Sequence, residues 1–248
     1  MKYLIGLMSA VLMGLTANAQ PPDYKDLQIL YADGDYEKLV REGEKYTGKD
    51  KTKRDALPYI YMAKGLYKIS LSGTDDEKFK NAYKDAIKYL GKGMKYDLKY
   101  NNGASLADES KFISEFQLSL FETINNEMTA GSYKRGKSWA IRYNKITENK
   151  VGAMYLIGAC KFFDGDKPGA RTDWLEGGKL LEGIESIEGW SEADQSVLKA
   201  GILFSAKALK QSRQEDKAKD LVGKVAQWYE TDPDWQSDYD AIVNGTDE

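Results

Sequence analysis

Apolar residues recur every three or four positions along most of the chain. The clearest stripe is Phe112, Phe116, Leu120, Ile124 and Met128. A four-residue step keeps these side chains on one face of a helix of about 3.6 residues per turn. The same spacing predicts helices over Asp23 to Asp33, Ala56 to Ser72, Tyr133 to Ile146 and Val151 to Phe163. Another helix carries Phe79, Tyr83, Ala86, Leu90 and Met94 on one face. Later ones carry Trp174, Leu181 and Ile184, then Leu198, Ile202, Ala206 and Leu209, then Ala218, Val222 and Val225. Trp235, Tyr239 and Ile242 mark a final helix. No run of alternating β-branched residues is long enough for a sheet. The fold class expected is all-α.

Turn chemistry separates these stripes. Gly34-Asp35 ends one helix and offers a cap for the next, and Thr47 to Asp55 has no apolar period. Thr74-x-x-Glu77 has the form of a capping box, and Ser191-x-x-Asp194 resembles one. Asn101-Asn102-Gly103 is a turn cluster, with Ser105 as a cap for the helix after it. Pro168 and Pro233 stand where the first turn of a helix tolerates a missing N–H. Asn244 to Glu248 is expected to fray.

A pattern repeats between Gly131 and Gly177. Gly131, Gly136, Ala140 and Tyr143 have the same offsets as Gly165, Ala170, Trp174 and Gly177, 34 residues further on. The offsets return at Gly34, Leu39, Gly43 and Tyr46, and more weakly at Ala86 and Ala218. A loop glycine followed by a small residue on a helix face, at a 34-residue period, marks stacked helix–turn–helix units. The small residue lets two helices approach closely. Steps between the other copies exceed 34 residues and place the extra residues in loops and longer helices.

With Met154, Ile157, Gly158, Ala170, Trp174 and Gly177, and again with Ile202, Ser205, Ala206, Leu209, Ala218, Val222 and Val225, the chain resembles a tetratricopeptide-repeat (TPR) protein. The resemblance runs through most of Asp23 to Tyr229. It departs from the family pattern in lacking Trp at the first position of both units and in its bulky Leu39. It implies a TPR-like alpha-solenoid of about five helix pairs plus a C-terminal capping helix. It also implies that the first helix of each pair lines a binding groove. The corresponding groove positions are Asn125, Tyr155, Phe162, Lys207 and Lys210.

Composition alters this picture at the N-terminus. Lys2, the apolar stretch Tyr3 to Leu15 and Ala17-Asn18-Ala19 have the layout of a cleaved signal peptide. The expected domains are a signal peptide over 1–19 and one TPR-like helical domain over 20–248. Position 20 is Gln, so no lipoprotein cysteine follows the cleavage site. The expected location is periplasmic or secreted, not membrane-embedded after cleavage. The formal charge of −3 becomes −4 without Lys2, with both signs interspersed. That gives no basic face for nucleic acid.

Candidate chemistry is sparse. The chain has no histidine and one cysteine, Cys160. Histidine-based triads, histidine metal sites and intrachain disulfides are excluded. Cys160 is expected as a small buried residue. The cluster Asp232, Asp234, Asp238 and Asp240 lacks the glycine of a calcium loop and reads as helix capping. No phosphate-binding glycine motif is present. No cofactor or metal is expected. The reading is a non-catalytic module that binds another envelope or secreted protein. The alternative is a carbohydrate-binding envelope protein using exposed aromatics.

Overall fold

The computed structural model describes residues 22–245. The expected signal peptide and the last three residues of the frayed tail lie outside the described residues. Among the described residues the protein is all-α, with twelve α-helices and two 3-10 turns. The helices are α1 (Lys25–Ala32), α2 (Tyr36–Thr47), α3 (Ala56–Ser72), α4 (Ala82–Tyr100), α5 (Ala104–Asp108) and α6 (Ser110–Thr129). They continue as α7 (Tyr133–Tyr143), α8 (Lys150–Phe163), α9 (Lys167–Leu181), α10 (Glu192–Gln211), α11 (Glu215–Gly223) and α12 (Pro233–Val243). No helix among the described residues is long and apolar enough to cross a membrane.

Most helices pack against the next one in the chain. Neighbours meet at α1–α2, α2–α3, α3–α4, α6–α7, α7–α8, α8–α9 and α10–α11. The expected stripes form the contacts. Phe116, Leu120 and Ile124 of α6 are fully buried, and so are Leu198, Ile202 and Ala206 of α10. The repeat's small residues sit at these junctions. A Cβ on Gly136 of α7 would stand 3.1 Å from Met128 Sδ of α6, and one on Gly177 of α9 would stand 3.2 Å from Tyr155 of α8.

One contact departs from simple neighbour stacking. Helix α10 packs on α8 and also reaches α6, so α6, α7, α8 and α10 enclose a common interior. The α8–α10 crossing is a backbone approach between two glycines. A Cβ on Gly152 would lie 2.5 Å from the Leu198 nitrogen, and one on Gly201 would lie 2.5 Å from the Gly152 carbonyl oxygen.

Several expected boundaries hold. Gly131 and Gly165 take positive φ, 69° and 94°, a region that a side chain disfavours. Asp166 accepts from Gly169 N–H and Asp232 from Trp235 N–H, each capping a helix with Pro in its first turn. Other caps differ. Asp35 makes no side-chain cap hydrogen bond. The Thr74–Glu77 capping box does not form. Thr74 accepts from Asp76 N–H, and Asp76 caps a 3-10 turn at Glu77–Phe79, so α4 starts only at Ala82. Ser105 lies inside the short helix α5 and accepts from Asn101, and α6 follows Glu109.

Candidate functional site

The five groove positions implied by the repeat resemblance do not share one lining. Asn125 is exposed on α6. Tyr155 is 4% exposed, under the glycines Gly177 of α9 and Gly201 of α10. Phe162 is 8% exposed and stacks on Trp174 of α9 at 5.9 Å between ring centres. Lys207 pairs with Asp238 of α12 at 2.8 Å. Lys210 donates to the Ala241 carbonyl at 2.9 Å. The physical reason is coverage: α9 lies over α8, and α12 folds back toward α10. Tyr155 and Phe162 instead border two small clefts of about 360 and 340 Å³ that share Arg171, Trp174 and Gln214.

The remaining chemical candidates are absorbed by the fold. Cys160 is buried, its thiol 3.1 Å from Met128 Sδ, and burial pushes it up to about 12. Asp232 caps α12 and receives Lys199 Nζ at 2.6 Å, and the Lys199 hydrogen bond holds its carboxyl below the usual range.

A buried polar hub joins the enclosed helices. Asp194, 5% exposed, is held near the start of α10 by its own backbone N–H, which donates to Ser191 Oγ at 3.1 Å. Its carboxylate does not reach back to the cap. It accepts from Tyr143 Oη at 2.7 Å, Thr147 Oγ1 at 2.7 Å and Asn149 Nδ2 at 2.9 Å. Gln117 of α6 donates to the Ile146 carbonyl at 2.5 Å and accepts from Ser191 Oγ at 3.2 Å. The turn between α7 and α8 is therefore locked against α6 and α10. Burial first, and then the Asp194 carboxylate, pushes the Tyr143 phenol far above its usual range.

This locked turn forms one wall of a wide surface groove. The opposite wall is α4. Gly91 makes the approach close: a Cβ there would lie 3.0 Å from the Lys145 carbonyl oxygen. The groove measures about 840 Å³, and its floor includes Ile87, Met94 and Leu98. Leu98 is 48% exposed. Lys88, Lys95 and Lys99 stand along α4, and Lys145 and Lys150 face them from the turn. At ~100° per residue the three α4 lysines share about 40° of arc. A second cavity of about 500 Å³ continues the groove through Met94, Leu98 and Glu148 toward Gly189, Ser191 and Asp194.

The groove gathers five lysines and one exposed carboxylate, Glu148. Lys161, Lys199 and Lys207 each hold a carboxylate within 2.8 Å. The five groove lysines hold none among the described residues. Like charges four residues apart on a helix, as at Lys95 and Lys99, repel. A row of cations beside one exposed apolar side chain, Leu98, is what an acidic partner surface with some apolar contact would complement. Among the described residues no group of three or more His, Cys, Asp or Glu side chains stands as a metal site.

No protein-family model matches the chain, and no curated protein matches it. The groove thus rests on its own geometry. One signal for it was present in the sequence: Lys84, Lys88, Lys92, Lys95 and Lys99 recur at helical spacing on a segment already expected to be a helix. The contribution of Lys145 and Lys150 had no such signal, because it depends on how the α7–α8 turn docks.

Proposed function

We propose that this protein is a non-catalytic protein–protein interaction module, exported to the bacterial envelope. The observation that carries the reading is the continuous groove between α4 and the α7–α8 turn. It joins an apolar floor to a row of lysines without carboxylate partners among the described residues. Its walls are helices and a turn fixed by the Asp194 hub, and a preformed surface of this kind binds without the cost of ordering. The sequential helix pairs and the small residues at their junctions support a divergent TPR-like array, closed on itself where α10 returns to α6.

The carbohydrate alternative draws less support. Sugar stacking needs exposed aromatic faces, and among the described residues Tyr100 is the one aromatic side chain that is more than partly exposed. Asp194 is the groove's buried carboxylate, and three donors already occupy it. That favours a structural role over acid–base chemistry.

The test places a photo-crosslinking amino acid at Leu98 and exposes the mature protein to envelope extract. A discrete protein adduct that disappears when the exposed Lys95 and Lys99 are both changed to Glu is the expected result. Recovery of polysaccharide with no protein adduct overturns the reading.

A further inference from the structure

The far cavity of the groove is bordered by a loop whose neighbouring residues include exposed glutamates. The connection between α9 and α10 borders that cavity through Gly189 and Ser191. That connection reads Glu182-Gly-Ile-Glu185-Ser-Ile-Glu188-Gly-Trp-Ser-Glu192. Ile187 is buried, and Ile184 and Trp190 pack on the core formed by α8, α10 and α12. These three apolar anchors are three residues apart. Glu182, Glu185 and Glu188 have the same step, and all three are exposed, as is Glu192. None of the four holds a cationic partner among the described residues. The loop is thus pinned from below and displays a row of carboxylates above.

The unpaired α4 lysines line one cavity, and the loop that carries the four unpaired glutamates borders, through Gly189 and Ser191, a second cavity that shares Met94, Leu98 and Glu148 with the first. Such a surface is complementary to itself under a two-fold rotation. The lysines of one copy meet the glutamates of the other, and the second contact repeats the first. We propose that the occupant of the groove is a second copy of this chain, which seats its Glu182–Glu192 loop on the α4 lysines while receiving the same contact in return. This rests on the reading of the groove as a protein-binding surface and names the partner. The step along α4 from Lys95 to Lys99 is about 6 Å, at about 1.5 Å per residue. Glutamates three residues apart in a bent loop can present carboxylates at a comparable interval. Leu98, between the lysines, gives the contact its apolar centre.

Exposed charge pairs are individually weak, so the dimer is expected to be reversible and sensitive to salt. The test is sedimentation velocity on the mature chain. At low ionic strength the wild type is expected to dimerise, and at about 1 M salt, where the screening length is about 3 Å, to dissociate. Lys95→Glu/Lys99→Glu and Glu185→Lys/Glu188→Lys each place like charges at both contacts of a homodimer. Each is expected to raise the dissociation constant by about tenfold or more. Mixed together, the two variants restore opposite charges at one contact, where wild-type signs are exchanged, and also at the other, where they are kept. The mixture is therefore expected to dimerise although neither variant does alone. Near-unchanged helical circular dichroism in both variants separates this from misfolding.

A wild type that stays monomeric at its highest soluble concentration overturns the proposal, and so does a mixture that gains nothing over its parts. If the Leu98 crosslinker still captures a discrete heterologous protein, the binding-module reading survives and only the self-association falls. If neither is seen, both fall.

Discussion

The Tyr143 hydroxyl donates to Asp194 Oδ1 at 2.7 Å, joining the last residue of α7 to the first turn of α10 across 51 residues of chain. Thr147 and Asn149 donate to the same carboxylate, so a single side chain fixes the turn that forms one wall of the groove.

A hydrogen bond to a buried charged group contributes roughly 1.5–3 kcal/mol. Tyr143→Phe should therefore lower unfolding stability by about 2 kcal/mol. Asp194→Ala leaves three donors without their acceptor and should cost about 3–5 kcal/mol, the range for breaking a buried charged network. Urea titration of both variants checks the order. Equal losses in the two would show that the other two donors contribute nothing.

Alkaline pH should unfold the protein through groups kept protonated by burial. Cys160 is pushed up to about 12, and Tyr61 and Tyr155 likewise to about 12, in each case chiefly by burial. A folded pKa above the unfolded value means that the unfolded chain releases its proton first. The stability contributed by Cys160 is full below about pH 9 and is lost as pH rises toward 12. The tyrosine contributions are full below about pH 10 and are lost over the window above it. The urea midpoint should be flat from pH 7 to about 8.5 and fall beyond it. Cys160→Ala should delay the start of that fall to about pH 10, apart from a constant loss for the missing sulfur. An unshifted onset in that variant would show that the thiol plays no part in the alkaline transition.

The α8–α10 crossing admits no side chain. Gly201→Ala would bring its Cβ to 2.5 Å from the Gly152 carbonyl oxygen, and Gly152→Ala would bring one to 2.5 Å from Leu198 N. Both obstacles are backbone, so the helices must separate. Overpacking of this kind costs roughly 1–3 kcal/mol, and more where the neighbour cannot yield. Each variant should lose about 3 kcal/mol. Gly223, at the end of α11, has nothing within 4 Å of where a methyl group would stand, so Gly223→Ala should gain up to about 1 kcal/mol from helix propensity. Thermal melts of the three separate crowding from a general intolerance of alanine.

The helices themselves were legible because periodicity is a local property. The stripe from Phe112 to Met128 and the span Ala56–Ser72 reappear as α6 and α3. What the spacing could not supply was which faces remain open. The repeat resemblance pointed Tyr155 and Phe162 outward, but α9 covers one and stacks Trp174 on the other. Ser191-x-x-Asp194 was legible as a cap, and its serine does accept the Asp194 N–H. The destination of the Asp194 carboxylate was not, since its donors come from Tyr143, Thr147 and Asn149 on another part of the chain. The basic row on α4 was visible as a spacing of lysines. Its character as a site came from the turn docked on Gly91, a contact that no sequence period encodes.

Lys64 and Glu109 provide the last test, away from the Asp194 hub. Lys64 Nζ lies 2.8 Å from Glu109 Oε2, with both side chains largely out of solvent, and it stands 4.3 Å and 4.8 Å from the ring centres of Tyr31 and Tyr61. This pair fastens α3 to the start of α6 and holds Tyr31 of α1 over the ammonium. Glu109→Gln keeps the shape and removes the charge, leaving the ammonium in place without its counter-ion. Breaking a buried pair in this way costs about 3–5 kcal/mol, and the value here should fall near the lower end because water still reaches the site. Lys64→Met/Glu109→Gln removes both charges and should recover most of that loss. Tyr31→Leu removes one aromatic face and should cost about 1 kcal/mol. Hydrogen exchange locates the effect: amides of α1 should lose protection first in both Glu109→Gln and Tyr31→Leu, because α1 packs chiefly on α2 and α3. Protection lost uniformly along the chain in Tyr31→Leu would show that α1 is not held separately by this contact.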